Sequence, residues 1–298
     1  MGKSLQERLI DPNSPDRRPR RAAYALPTFF TAANVFLGFY AIIKAFEGVM
    51  LAMNGTLGKN PHFEAAAMAI GVAVFCDGID GRLARMTNTV SDFGRELDSL
   101  ADVITFGIAP AVLAFTWGIH FITAPSWQPG IVQDYIRPAG YFLSFLYLLC
   151  GSMRLARFNI QKNPMPSNPG RPDRKYFVGL AIPAAAGLVA SIVYACEGIP
   201  LTNYIWAGAW LALLGLLSFL MISTWRYPSF KDINLLRPRS PLTFVVVGCF
   251  IFMIWSFTQP VLLGMSVAYV SCGILIRIGG IIRRRFRPTP PHPEHQVG

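Results

Sequence analysis

The chain has 298 residues, 53% of them hydrophobic and only 14% charged, and its mean hydropathy is +0.41. Soluble domains carry about 25% charge, so this composition excludes an ordinary soluble domain and points to one integral membrane unit. The net charge of +11 gathers at the ends, in Arg17, Arg18, Arg20 and Arg21 and again in Arg283, Arg284, Arg285 and Arg287, where it reads as cytoplasmic anchoring of membrane spans and not as a nucleic-acid surface.

In chain order, residues 1–25 form a basic, Pro/Arg-rich arm expected to be loose or to lie on the membrane surface. The first apolar run lacks the short core and small-residue cleavage pattern of a secretory signal, so it is expected to remain as a span. Apolar windows of about 20 residues, the length that crosses a bilayer core, then recur. They predict an all-α integral membrane protein with about eight transmembrane helices, at roughly 26–46, 64–86, 98–121, 138–159, 177–196, 202–223, 241–258 and 260–282. Pro183 falls inside the fifth of these, where it would free a carbonyl or kink the helix unless the small residues around it serve close packing. The transmembrane domain covers 26–282, and 283–298, ending in RPTPPHPEHQVG, reads as a disordered cytoplasmic tail.

Charge placement orients these spans. With the N-terminus inside, all of the 27 Lys and Arg except Lys44, Lys59 and Arg137 fall on inner segments. Such asymmetry places both termini, and the turn between the second and third spans, in the cytoplasm.

That turn carries the chemistry. Asp77, Asp80, Asp98 and Asp102 lie within FCDGIDGRLARMTNTVSDFGRELDSLADVITFG, bordered by apolar runs. A carboxylate in hydrocarbon is costly, so intramembrane acids usually mark a site. Residues 77, 80, 81, 84 and 85 share one helical stripe, and Gly94, Asp98 and Asp102 share a second. A short turn from Thr87 to Ser91 would let the two stripes meet. Four neighbouring carboxylates repel and must protonate or bind cations. Two divalent ions in such a cage could clamp a diphosphate. Gly81 and Ala84 leave room for a nucleotide, and Arg85 offers a planar fork for phosphate. Spacing alone leaves a structural ion-pair role or a transporter's ion pathway open beside metal catalysis.

Arg154 and Arg157 end the fourth span, with Asn159 just beyond. They either contact an acceptor carboxylate or phosphate, or snorkel to the interface. The five cysteines form no CxxC pair, so neither a disulfide framework nor a zinc site is indicated.

The ordered pattern Asp77-Gly78-x-Asp80-Gly81-x-x-Ala84-Arg85, followed at fixed intervals by Gly94, Asp98 and Asp102, resembles the signature of the CDP-alcohol phosphatidyltransferase family. The resemblance implies a homodimeric bundle of transmembrane helices with its site open to the cytoplasm. Members move a phosphatidyl group from a CDP-linked lipid to an alcohol and release CMP. By resemblance, Asp77, Asp80 and Asp98 are ligands of Mg²⁺ or Mn²⁺, and Asp102 is both a ligand of a second ion and the general base. Gly81, Arg85 and Ser91 are implied contacts to the CDP-lipid, with Ala84 and Gly94 beside them.

Segments 26–42, 97–111, 154–159, 177–186 and 225–231 resemble the membrane-embedded bacterial branch of the family, which takes CDP-diacylglycerol and L-serine. That branch implies a bacterial-type cytoplasmic membrane. Thr28 departs from it, since many relatives have Asn after the proline. A glycerol phosphate or inositol phosphate acceptor is the close rival, and an ion-coupled transporter the distant one.

Overall fold

The computed structural model describes residues 17–55, 57–87, 92–162, 176–228, 252–253 and 256–285. Its helices are α1 (Arg17–Met53), α2 (Pro61–Thr87), α3 (Asp92–Asp102), α4 (Ala109–Gly118), α5 (Arg137–Lys162), α6 (Ile182–Ala195), α7 (Tyr204–Ile222) and α8 (Thr258–Arg285). Two π-helical segments, Val103–Ile108 and Val132–Ile136, run directly into α4 and α5.

Among the described residues, five stretches are long and apolar enough to cross a membrane: Phe29–Met53, Glu96–Gly118, Val132–Asn159, Tyr204–Ile222 and Thr258–Gly279. The chain is therefore a helical membrane protein. The 27-residue α2 is long enough to span but carries Glu64 and Asp77. The 14-residue α6 reaches only about 21 Å, against a hydrocarbon core of about 30 Å. The expected seventh span, 241–258, lies almost wholly outside the described residues.

Several expected boundaries are corrected. The helix that carries the first span starts at Arg17, ahead of the apolar stretch that begins at Phe29, so 17–25 is helical. Pro19 sits in its first turn, where a missing N–H costs little. The last helix runs through Arg285, past the expected tail boundary at 283. The fifth helix begins at Ile182, not 177, because Tyr176–Val178 (β1) pairs antiparallel with Arg226–Pro228 (β2). This pair, with an isolated bridge between Thr123 and Asn203, is the exception to an all-α reading among the described residues. Pro183 therefore lies in the first turn of α6, where it starts the helix instead of kinking it. Gly179 makes the turn between β1 and α6 possible: its φ is +78°, and a Cβ would lie 2.7 Å from the Met221 carbonyl oxygen.

The core is built from small residues at close helix crossings. Ala41, Ala45, Ala66, Ala73, Ala185 and Ala186 are all buried. Gly38 lets α1 approach the first π segment, since a Cβ there would sit 2.7 Å from Thr105 Oγ1. The Thr105 hydroxyl in turn donates to the Asn34 carbonyl at 2.9 Å. On the same segment, the Phe106 carbonyl accepts from the Tyr147 hydroxyl at 3.2 Å. The π segment that follows Asp102 thus bonds to the α1 backbone through its Thr105 side chain and accepts from an α5 side chain, and such segments concentrate at functional sites.

At the opposite end of α2, Asn60 closes the fold. Its Oδ1 accepts from the backbone N–H of His62 and Phe63, at 3.1 and 3.4 Å, which caps α2. Its Nδ2 donates to the Gly48 carbonyl at 2.8 Å, which ties that cap to α1.

Candidate active site

α2 ends at Thr87 and α3 begins at Asp92, so only 88–91 separate the two acidic stripes. The packing of α2 and α3 against α1 then brings Asp77, Asp98 and Asp102 together. One carboxylate oxygen from each lies within 4.8 Å of the other two, and all three side chains are half-buried. The helical spacing predicted this meeting: Asp98 and Asp102 are one turn apart on α3, facing Asp77 from α2.

Not every predicted site residue can be placed to its side chain. Asp80, Gly81, Ala84 and Arg85 lie on the helical backbone of α2, but their side chains are outside the described residues, and Ser91 is outside them altogether. Gly94 is on α3, one turn before Asp98.

The second predicted group separates into three different environments. Arg154 is buried, with 8% of its surface exposed, so it does not snorkel to the interface. Its guanidinium carbon lies 4.6 Å from the centre of the Phe158 ring. Asp102, Arg157 and Tyr269 of α8 are within electrostatic range of it. Among the described residues its Nε has no hydrogen-bond partner. Arg157 is more open and donates to the Ile222 carbonyl at 3.2 Å, at the end of α7. Asn159 donates through Nδ2 to Ser99 Oγ at 2.8 Å, which pins the end of α5 against the acidic helix.

Sequence reasoning missed Ser99, Tyr227 and Tyr269. Ser99 was hidden beside Asp98. Tyr269 was a lone tyrosine in an apolar run, where a polar tip on an aromatic body is the available signal. Tyr227 of β2 is fully buried, and its ring lies 5.8 Å from that of Tyr269. Gly273, one turn beyond Tyr269, leaves the space that the Tyr227 ring fills. Burial, with Tyr269 second, pushes the Tyr227 phenol up to about 12, so it remains a protonated donor at neutral pH.

Chemically, three half-buried carboxylates at this separation repel unless a cation or a proton joins them. The donor set is all oxygen, which suits a hard divalent ion and not a thiolate- or imidazole-seeking metal. The four cysteines among the described residues are free thiols, and none belongs to the acidic cluster.

Comparison with known proteins agrees with this chemistry. The pattern of the family described as CDP-alcohol phosphatidyltransferase matches residues 24–217. A CDP-diacylglycerol–serine O-phosphatidyltransferase of Helicobacter pylori is 33% identical over 269 residues, which cover 90% of this chain and 94% of that protein. A protein of the same name from Bacillus subtilis is 33% identical over 206 residues, 69% of this chain and 91% of its own length. An archaetidylserine synthase of Methanothermobacter thermautotrophicus is 30% identical over 206 residues, covering 68% and 70%.

Proposed function

The chain belongs to the CDP-alcohol phosphatidyltransferase family, and from that premise we propose that it is a CDP-diacylglycerol–serine O-phosphatidyltransferase, making phosphatidylserine and CMP. The single observation that carries the chemistry is the convergence of Asp77, Asp98 and Asp102 from two helices. The acceptor follows from relatives of that name matching up to 90% of the chain.

Asp102 is the general base. It takes the proton from the serine hydroxyl, whose oxygen attacks the phosphatidyl phosphorus. The bond from that phosphorus to the CMP oxygen breaks, CMP leaves, and no covalent enzyme intermediate is needed. Asp77, Asp80 and Asp98, with Asp102, would hold two Mg²⁺ or Mn²⁺ ions. When bound, these neutralise the pyrophosphate and steady the entering and leaving oxygens. Arg85, with Gly81, Ala84, Ser91 and Gly94, receives the CDP-lipid: the guanidinium forks onto phosphate, and the small residues admit the nucleotide. Arg154 meets the acceptor, while Arg157 and Asn159 hold the ends of α7 and α3 around it, as their bonds to Ile222 and Ser99 support.

The catalytic unit lies within 26–282. Eight spans, a homodimer, and a bacterial-type cytoplasmic membrane with the site and both termini inside complete the proposal. The concentration of Lys and Arg on the segments assigned to the inner face supports the orientation.

The test is an acceptor assay on the purified protein with CDP-diacylglycerol and Mn²⁺. Radiolabelled serine is expected to enter lipid with equal release of CMP, and EDTA is expected to stop both. Transfer to glycerol phosphate or inositol phosphate in place of serine would reassign the acceptor. Full activity in EDTA would remove the metal centre.

A further inference from the structure

Beyond the acidic cluster, six buried side-chain polar atoms lack partners among the described residues, and two of them, Arg154 Nε on α5 and the Tyr227 hydroxyl on β2, each neighbour Tyr269. An unpaired buried donor keeps its full desolvation cost, so two of them in one neighbourhood point to a ligand that completes them. They do share a neighbourhood. Tyr269 is within electrostatic range of Arg154 and its ring adjoins that of Tyr227. Arg154 is also in range of Asp102. The group therefore borders the site on the side closed by α8. Tyr227 and Tyr269 both lie beyond residues 24–217, so membership of the family gives neither of them a role.

The chemistry of this corner is a cation in range of one phenol, Tyr269, whose ring adjoins that of a second, Tyr227. Arg154 offers N–H donors in a planar fork, and a protonated phenol offers an O–H. Together they suit a small anion with planar oxygens, and the acidic cluster next to them repels any anion not held this way. The acceptor's own carboxylate is such a group: held here, it would leave the hydroxyl of the same molecule to face Asp102.

Resting on the serine-transferase reading above, we propose that Tyr269 and Tyr227, with Arg154, form the pocket that recognises the acceptor's carboxylate, so that α8 and the β1–β2 hairpin set which alcohol this enzyme accepts. Tyr269 and Tyr227 are specificity-determining residues here. Gly273 is a positioning residue, because any side chain there would collide with the Tyr227 ring.

Tyr269→Phe and Tyr227→Phe test this in the full-length enzyme, since each removes one oxygen and keeps the ring. Serine and ethanolamine, which is serine without its carboxylate, are compared as acceptors by CMP release with CDP-diacylglycerol and Mn²⁺. Tyr269→Phe is expected to raise the KM for serine by about tenfold, the scale of one hydrogen bond to a charged group. The KM for CDP-diacylglycerol and kcat at saturating serine stay as in wild type. The preference for serine over ethanolamine falls by the same factor, a split that a purely structural defect does not produce. If wild type uses serine and both variants keep its KM and that preference within twofold, the pocket is wrong while the enzyme's activity stands. If wild type uses only a phosphorylated alcohol, the serine reading and the pocket fall together. Tyr227 is fully buried, so should its variant be lost on purification, Tyr269→Phe alone decides.

Discussion

The two ends of α2 handle charge in opposite ways. At its start, unlike charges are matched, Lys59 with Glu197 at 2.7 Å and Lys44 with Glu47, and the His62 ring also lies 2.9 Å from the Glu47 carboxylate. Asn60 there uses both ends of its amide. Toward the other end, roughly 24 Å along the helix at 1.5 Å per residue, three carboxylates face one another and a buried arginine keeps an unpaired Nε. The first end satisfies its polar groups within the protein. The second collects like charges that become stable only when something else arrives. A fold holds such a conflict where function requires it, and stability elsewhere offsets it.

The largest test of this contrast is Asp102→Asn. It removes the proposed base and one of three converging carboxylates, and kcat is expected to fall by about 10³-fold or more. In EDTA the same variant should melt no lower than wild type, because it relieves repulsion as it removes function. A variant that lost activity and also melted far lower in EDTA would make Asp102 a structural residue, and the two ends of α2 would no longer differ in kind.

The next effect concerns the cation. Saturating Mn²⁺, at a hundred times its Kd, should stabilise the wild-type fold by about 2.7 kcal/mol, read as a rise in Tm over the EDTA-treated protein. Asp98→Asn should lose most of that rise while keeping the wild-type Tm in EDTA. An equal rise in both proteins would place the ion elsewhere.

The acidic end was the more legible in the sequence, and the reason is physical. Asp77, Asp98 and Asp102 stand out because a carboxylate between apolar runs has no ordinary explanation, and a period of 3.6 residues says which of them share a face. The spans in α5, α7 and α8 were legible from length and hydropathy. What stayed hidden depends on partners far away in the chain. β1 could not be read without β2, about 50 residues later. Pro183 read as lying inside a span because the start of α6 is set by that strand pair and not by a change in hydropathy. The Arg154–Tyr269 neighbourhood joins α5 to α8, and no local pattern foretells it.

The matched end should respond through stability alone. Asn60→Ala removes the cap of α2 and leaves the Gly48 carbonyl without its side-chain donor, so a loss of about 2 kcal/mol is expected. The measurement is Tm together with kcat per folded enzyme, and kcat should not move. A change in serine KM in this variant would mean that the two ends are coupled through α2.

The smallest effect is expected at Lys59→Ala, although the salt bridge it breaks is short. Lys59 is 73% exposed and Glu197 36% exposed, so water and salt already screen the pair. The long lysine side chain also loses rotamer freedom to hold one geometry, which cancels much of the attraction. The Asn60 N–H still donates to the Glu197 carbonyl at 3.3 Å, so the loop keeps its attachment without the side-chain pair. The loss should stay within about 0.5 kcal/mol and shrink further in high salt. A loss of several kcal/mol, unaffected by salt, would mean that this end also holds its charges out of water, and the contrast with the carboxylate cluster would then be one of sign alone.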